Sequence, residues 1–141
     1  MRIVRFRCTH DDSVRYGSLV NDTVYAIQGD PYGAHAEAGA AVGSVRDVLL
    51  CSPCLPGKIV ALAANYAGAT GVTDTMTEPV IFLKPASSVT GPFDDIVSPF
   101  KSVSVWGEAE LAIVVGKRLQ KASLQEAESA VFGYTCADDV T

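Results

Sequence analysis

The chain has 141 residues, 48% of them apolar and 19% charged, so it suits one globular domain or a small domain joined to part of another, and disorder is excluded. Its 16 acidic and 11 basic side chains give a net charge of −5, which excludes nucleic acid as a main partner because phosphate binding requires a basic surface. No apolar run approaches the ~20 residues that cross a bilayer, and arginines interrupt the N-terminus, so we expect no membrane partner, no secretory signal and a cytoplasmic location.

Residues 2–27 predict a small β-meander. In the segment Val4–Cys8, apolar residues alternate with Arg5 and Arg7, so that one face of a strand would be apolar and the other solvated. A second alternating segment follows, and Asn21-Asp22 then predicts a tight turn into a third strand, because Asn and Asp tolerate left-handed backbone conformations.

The next stretch predicts the end of this first unit. The segment from Gly29 to Gly43 is rich in Gly and Ala, and we expect an irregular connection there. Ser44 with Asp47 three residues later resembles a capping box, which predicts a short helix through Leu50. Prolines and a glycine follow between residues 53 and 57, so we predict a small N-terminal β domain over residues 1–52 and a second domain over residues 58–141.

The second unit predicts four strands and one helix. Short apolar runs at residues 59–63 and 80–83 have strand length, and a long strand is expected from about Val103 to Val115. Ser123 with Glu126 forms a capping box that predicts a helix to about Val131, and residues 133–137 predict another strand. The fold class is therefore α+β, and mostly β.

Four cysteines are present, and two of them form the C-x-x-C pair Cys51 and Cys54. Such a pair suits redox chemistry or half of a zinc site. A zinc site needs a second pair, which the sequence lacks, and His10 and His35 fit no ligand spacing. A redox pair would begin a helix, whereas Leu55-Pro56-Gly57 follows here. We interpret the cysteines as reduced thiols.

Glu108 and Glu110 carry the most informative pattern. Residues two apart on a strand share a face, so both carboxylates would point the same way on a strand that is otherwise apolar enough for burial. Their charges must be neutralised by protons, by lysines or by a hard divalent cation such as Mg²⁺, Mn²⁺ or Ca²⁺. Asp138 or Asp139 could supply a third carboxylate. The alternative is an edge strand with both glutamates in water, paired to basic side chains.

Four segments resemble one known family. Residues 58–66 match the pattern K-I-x-x-x-x-x-N-Y, residues 79–85 match P-x-x-F-x-K-P, residues 108–117 match E-x-E-L…V-x-G-K, and residues 133–141 are close to G-Y-T…N-D-V-T. In this order and at these gaps they resemble the fumarylacetoacetate hydrolase superfamily. The meander of residues 1–50 is similar to the small N-terminal domain that many members carry.

The resemblance implies the first part of a mixed β-roll that holds one divalent cation, usually Mg²⁺ or Mn²⁺. By position the ligands match Glu108, Glu110 and Asp139. It also implies hydrolase, decarboxylase or isomerase activity on a small 2-oxo or β-diketo acid through a metal-stabilised enolate. Lys84 would then hold the substrate carboxylate, and Asn65 and Tyr66 would begin the loop over the site.

Two departures from the family pattern qualify this expectation. Hydrolytic members carry a water-activating histidine and glutamate in that loop, and the matching positions here are Ala69 and Val72, so we assign no catalytic residue. Asp74 or Glu78 could substitute. The family pattern also continues beyond the position of Thr141, so we expect an N-terminal portion or a truncated copy.

Three interpretations therefore stay open. The chain is a metal-dependent enzyme of this superfamily, a catalytically inactive remnant of one, or a non-enzymatic module that associates through exposed strand edges. In each case we expect self-association, and the resemblance implies a homodimer for complete members.

Overall fold

The computed structural model describes residues 1–33, 37–68, 77–98, 100–101 and 103–141. The chain divides into two compact units, Met1–Cys54 with Gly91–Thr141, and Leu55–Thr90. The described residues are 42% strand and 9% helix, which confirms the prediction of a mostly β fold. The domain division at residues 52 and 58 stays a prediction.

The N-terminal part of the first unit is a five-stranded antiparallel sheet, in which the predicted meander is confirmed. The strand order is β4-β3-β2-β1-β5, with neighbours hydrogen-bonded. The bounds are β1 Ile3–Arg7, β2 Val14–Val20, β3 Thr23–Gln28, β4 Glu37–Ser44 and β5 Leu49–Cys51.

On β1 the core forms on the face that the apolar alternation predicts, whereas on β2 the core face carries Leu19 and the alternating Val20 is exposed. Phe6 and Val24 are fully buried, and Cys8 and Leu19 are each only 8% exposed. Gly17 is required here, because an added Cβ would lie 2.8 Å from the carbonyl oxygen of Tyr25. The close approach of β2 and β3 therefore depends on a residue without a side chain.

Two local predictions for this unit are wrong. The expected irregular connection from Gly29 to Gly43 contains strand β4, which pairs with β3 through register shifts. The expected helix through Leu50 is one 3₁₀ turn, Val45–Asp47, followed by β5. In both cases pairing with the sheet outweighs a weak local preference. Strand β4 pairs with β3, and Leu49–Cys51 of β5 pairs with Arg5–Arg7 of β1.

The unit Leu55–Thr90 contains an antiparallel pair, β6 (Ile59–Ala63) and β7 (Val80–Lys84). Both predicted strands are confirmed. The register runs from Ile59 opposite Lys84 to Ala63 opposite Val80. A 3₁₀ turn, Ala86–Ser88, follows β7.

The last part of the first unit is a hairpin-like pair, β8 (Ala109–Val115) and β9 (Val131–Asp138), with helix α1 (Leu124–Ser129) in the connection. The capping box of Ser123 and Glu126 is confirmed. The predicted start of the strand at Val103 is wrong, because β8 begins at Ala109. The alternating Val103 and Val105 do not form a strand, because alternation alone is not enough where no neighbouring strand pairs with the segment. Before β8, the paired backbone extends back to Trp106.

Across the described ranges, no helix has both the length and the apolar character that crossing a membrane requires. The cytoplasmic location stays a prediction.

Candidate functional site

The pairing of β8 with β9 determines where the predicted carboxylates lie. Glu108 and Asp139 exchange both backbone hydrogen bonds, with N···O distances of 3.1 and 2.9 Å. Glu110 lies opposite Ala137, one step further along the regular ladder. A pair that exchanges both bonds lies directly opposite, with the two side chains on the same face. The structure therefore brings Glu108 and Asp139 together across the two strands.

The same register distinguishes the two aspartates. Glu110 shares the face of Glu108 because it lies two residues further along the strand. Asp138 lies opposite Ala109, on the other face, and a Cβ added at Gly107 would meet its Oδ1 at 2.6 Å. Of the two candidates for a third carboxylate, only Asp139 shares the face of the two glutamates.

The surroundings of the three carboxylates differ. Glu108 is exposed, whereas Glu110 and Asp139 are half-buried. The indole Nε1 of Trp106 donates a hydrogen bond to Glu108 Oε1 at 2.9 Å. We call the face that carries Trp106, Glu108, Glu110 and Asp139 the carboxylate face.

The side chains on the carboxylate face share a surface but do not converge. Among the residues that the structure describes, no three His, Cys, Asp or Glu side chains stand close enough together to hold a metal ion. The donor set is nevertheless chemically suited to a hard cation, which prefers carboxylate oxygens. The backbone thus supplies a shared face for the three carboxylates. The metal site stays a prediction.

The predicted substrate-binding residues lie in the other unit. Lys84 is half-buried at the end of β7, opposite Ile59, with its Nζ 5.9 Å from the centre of the Phe82 ring. Asn65 and Tyr66 follow the end of β6, beyond Ala64, whose φ is +53°. Antiparallel strands rise about 3.4 Å per residue, so Lys84, opposite Ile59, lies roughly 14 Å along the pair from Ala63. Lys84 and the segment that follows β6 therefore begin at opposite ends of the strand pair.

Several predicted positions lie outside the described residues. These are His35, the two positions that match the water-activating pair, Ala69 and Val72, and the possible substitute Asp74. The other possible substitute, Glu78, is described and exposed.

All four cysteines are free thiols. Burial raises the pKa of the Cys54 thiol above its usual range. A raised pKa keeps the thiol protonated at neutral pH, which makes it a poor nucleophile and favours the interpretation as a structural cysteine.

Trp106 is the site residue that the sequence reasoning missed. It lies two residues before Glu108, so the same alternation that selected the glutamates places it on their face. Its backbone exchanges two hydrogen bonds with Thr141, both of 3.0 Å, which extends the pairing beyond β8.

Comparison with known proteins identifies the family. Residues 58–141 match the model of the fumarylacetoacetate (FAA) hydrolase C-terminal domain, and residues 1–53 match the Rv2993c-like N-terminal domain. The chain therefore belongs to the fumarylacetoacetate hydrolase superfamily. Members of this superfamily are typically metal-dependent and act on small-molecule substrates.

Individual relatives show the same similarity. Over 88 residues the chain is 40% identical to the mitochondrial oxaloacetate tautomerase FAHD2A of Bos taurus, covering 61% of this chain and 28% of the relative. It is 31% identical to protein Rv2993c of Mycobacterium tuberculosis, covering 96% and 54%. The crystal structure of 2-hydroxyhepta-2,4-diene-1,7-dioate isomerase from Mycobacterium marinum superimposes with a TM-score of 0.83 at 32% identity, covering 99% and 54%. The chain thus spans about half, or less, of the length of these relatives.

Proposed function

We propose that the chain carries the metal-binding strands of an enzyme that isomerises a small 2-oxo or β-diketo acid. The observation that carries this proposal is the direct pairing of Glu108 with Asp139, with Glu110 on the same face. Two of the relatives are named as a tautomerase and an isomerase, which supports the reaction class.

The three carboxylates of the carboxylate face would hold the cation, Mg²⁺ or Mn²⁺, with Ca²⁺ as a weaker alternative. Their six oxygens suit a hard divalent ion, and its charge would offset the repulsion between Glu108 and Asp139 on facing strands. When bound, such a cation polarises the carbonyl of a 2-oxo acid and stabilises the negative charge of its enol form. The half-buried Glu110 and Asp139 would keep water from part of the site.

The family resemblance assigns substrate binding to Lys84, Asn65 and Tyr66. The Lys84 ammonium would hold the substrate carboxylate, since a compact cation at a strand end can reach an anion without ordering a long loop. Asn65 and Tyr66 would begin the segment that covers the bound acid.

Isomerisation is favoured over hydrolysis by the residues at the positions of the water-activating pair. Hydrolysis needs a general base to deprotonate water, and Ala69 and Val72 have no group that can accept a proton. Tautomerisation moves a proton between carbon and oxygen of one substrate, so it needs a proton acceptor and a proton donor but no activated water nucleophile.

A binding experiment tests the proposal. We expect Mn²⁺ or Mg²⁺ to bind to the chain in isothermal titration calorimetry with millimolar or tighter affinity, and binding to be lost in Glu108→Gln, Glu110→Gln and Asp139→Asn. Glu128→Gln, on the exposed surface of α1, is the matched control and should bind the metal unchanged. Equal affinity in all four variants would contradict the proposal, as would a wild-type chain that binds neither ion.

A second candidate is a catalytically inactive homologue that retains the fold. It is favoured by the carboxylates, which share a face without converging in the described structure. Ultraviolet absorbance of the enol form of oxaloacetate separates the two candidates. Metal-dependent acceleration of its equilibration with the keto form, lost in Glu108→Gln, would support the enzyme, and its absence would support the inactive homologue.

We also propose that the chain self-associates, as a homodimer or larger oligomer. The support is the outer face of the β8–β9 pair, which we define as Leu111, Ile113, Val115 and Tyr134. Three of these side chains are 55% or more exposed on β8 alone: Leu111 at 60%, Ile113 at 56% and Val115 at 55%. A contiguous exposed apolar surface of this kind marks an interaction site.

A further inference from the structure

Trp106 is the one tryptophan of the chain, and it lies on the carboxylate face without being part of a packed core. Its side chain is 55% exposed. Its backbone is nevertheless fixed by the two hydrogen bonds with Thr141, and its indole N–H is directed at Glu108 Oε1. A large aromatic side chain that is more than half in water gains little from burial, so its place at this position requires another explanation.

We propose that Trp106 is a positioning residue for the Glu108 carboxylate. The indole N–H holds Oε1 at 2.9 Å and leaves Oε2 available to a divalent cation. This inference rests on the proposed function, because it assigns Trp106 to the same cation site.

The chemistry of the donor supports this role. An indole nitrogen is a donor only, so it can bond to the ionised carboxylate but can never compete for the cation as a ligand. A hydrogen bond to a charged acceptor is about twice as strong as one between neutral groups. Carboxylates that ligate metals are in turn held by hydrogen bonds from outer residues, and loss of such a partner typically lowers metal affinity about 10- to 100-fold.

Glu108 is the ligand candidate that most needs such a partner. Glu110 and Asp139 are half-buried and therefore restricted by their neighbours, whereas Glu108 is exposed. An exposed glutamate loses more rotamer freedom on binding a cation, and a bond that already orders its carboxylate reduces that cost. The backbone of Trp106 pairs with that of Thr141, and the backbone of Glu108 pairs with that of Asp139. These bonds fix the position of the indole donor relative to the carboxylate acceptor.

The experiment measures Mn²⁺ affinity by isothermal titration calorimetry in the wild-type chain and in three variants. Trp106→Phe keeps the ring and removes the N–H, and we expect it to bind Mn²⁺ about 10- to 100-fold more weakly. Trp106→Gln restores an N–H donor, and we expect it to recover part of the loss. Tyr134→Phe, on the outer face, removes a polar group from another aromatic residue and should leave affinity unchanged. Equal thermal midpoints establish that the variants fold.

A spectroscopic measurement tests whether the bound ion lies beside Trp106. Because Trp106 is the single tryptophan, Mn²⁺ bound at Glu108 should quench its emission with the dissociation constant found by calorimetry, and the quenching should disappear in Glu108→Gln.

The possible outcomes separate this inference from the proposed function. If the wild-type chain binds no Mn²⁺, the proposed function fails and this inference fails with it. If the wild-type chain binds Mn²⁺ and Trp106→Phe binds it equally well, only the role of Trp106 is overturned. Tighter binding by Trp106→Phe also overturns it, because the indole would then hold Glu108 away from the cation.

Discussion

Tyr32 lies in a small aromatic cluster between Tyr16 and Phe132. The ring centres of Tyr32 and Tyr16 are 6.1 Å apart, and those of Tyr32 and Phe132 are 4.8 Å apart. Phe132 belongs to β9, so the cluster connects the N-terminal sheet with the strand pair that carries the carboxylate face. Burial, together with a hydrogen bond to Tyr16, raises the pKa of the Tyr32 hydroxyl well above its usual range.

This pKa shift predicts a loss of stability at alkaline pH. Below the usual tyrosine pKa of about 10, Tyr32 is neutral in both the folded and the unfolded chain, so it causes no pH dependence. Above about 10, the unfolded chain releases this proton and the folded chain retains it, so the free energy of unfolding falls as the pH rises. Urea unfolding between pH 9 and pH 11 should show a shallower decline in Tyr32→Phe than in the wild-type chain. A slope unchanged by Tyr32→Phe would contradict the prediction.

At the residue scale, the sequence predicts which glutamates share a face but not what stands opposite them. Alternation alone places Glu108 and Glu110 together, because a strand has a period of two. The distinction between Asp139 and Asp138 depends on register, and a shift of one residue would exchange their faces. The family resemblance favoured Asp139, and the backbone pairing places it on the carboxylate face. Trp106 follows the same two-residue spacing, but only the coordinates show where its N–H is directed.

At the scale of elements, helix α1 has only six residues, so its capping residue carries much of its local stability. The Ser123 side chain accepts a hydrogen bond from the backbone N–H of Glu126, and the Glu126 carboxylate accepts one from the backbone N–H of Ser123. The bond from the Ser123 backbone N–H, together with one from the Ser123 hydroxyl, holds the pKa of the Glu126 carboxyl below its usual range. The two residues thereby satisfy amide groups that a helix leaves unpaired at its start.

We expect Ser123→Ala to lower the free energy of unfolding by about 1 kcal/mol, since this is the typical cost of removing a serine N-cap. Chemical denaturation followed by far-ultraviolet circular dichroism measures the change. Glu128→Gln lies on the same helix without taking part in the cap, and we expect it to stay within about 0.5 kcal/mol of the wild-type chain, as surface substitutions usually do. A cap variant as stable as this control would show that the capping box does not contribute.

The elements that the sequence predicts correctly are those with a local cause. Strands β1, β6, β7 and β9 follow apolar or alternating patterns, and α1 follows its capping box. Strands β4 and β5 have no local sequence pattern that predicts a strand. The Ala- and Gly-rich β4 becomes a strand because β3 offers an unpaired edge, and β5 because β1 offers the other. Sheet pairing is a contact between distant residues, and a single sequence gives no direct signal for it.

At the scale of the molecule, the strand pairs expose much more apolar surface than the N-terminal sheet does. The carboxylate side of β8 is half-buried along Glu110, Ala112 and Val114, while Leu111, Ile113 and Val115 on its outer face are exposed. Val60, Ile81 and Leu83 of the β6–β7 pair are also more than half exposed. Apart from its glutamates, β8 is apolar on both faces, which predicts burial on both sides, so the outer face has the composition of a covered surface.

Self-association through the outer face would slow the alkylation of the Cys136 thiol. This exposed cysteine lies opposite Leu111 in the β8–β9 register and therefore shares the outer face. We expect the rate of its alkylation by iodoacetamide, measured by peptide mapping, to fall several-fold as the protein concentration rises through the range in which sedimentation velocity shows oligomers. Leu111→Lys should abolish both changes, because a desolvated unpaired charge opposes association. Val60→Lys introduces the same charge on the β6–β7 pair and is the matched control, which should keep both. An alkylation rate at Cys136 that is independent of concentration, in a sample that does form oligomers, would place the interface on a different surface.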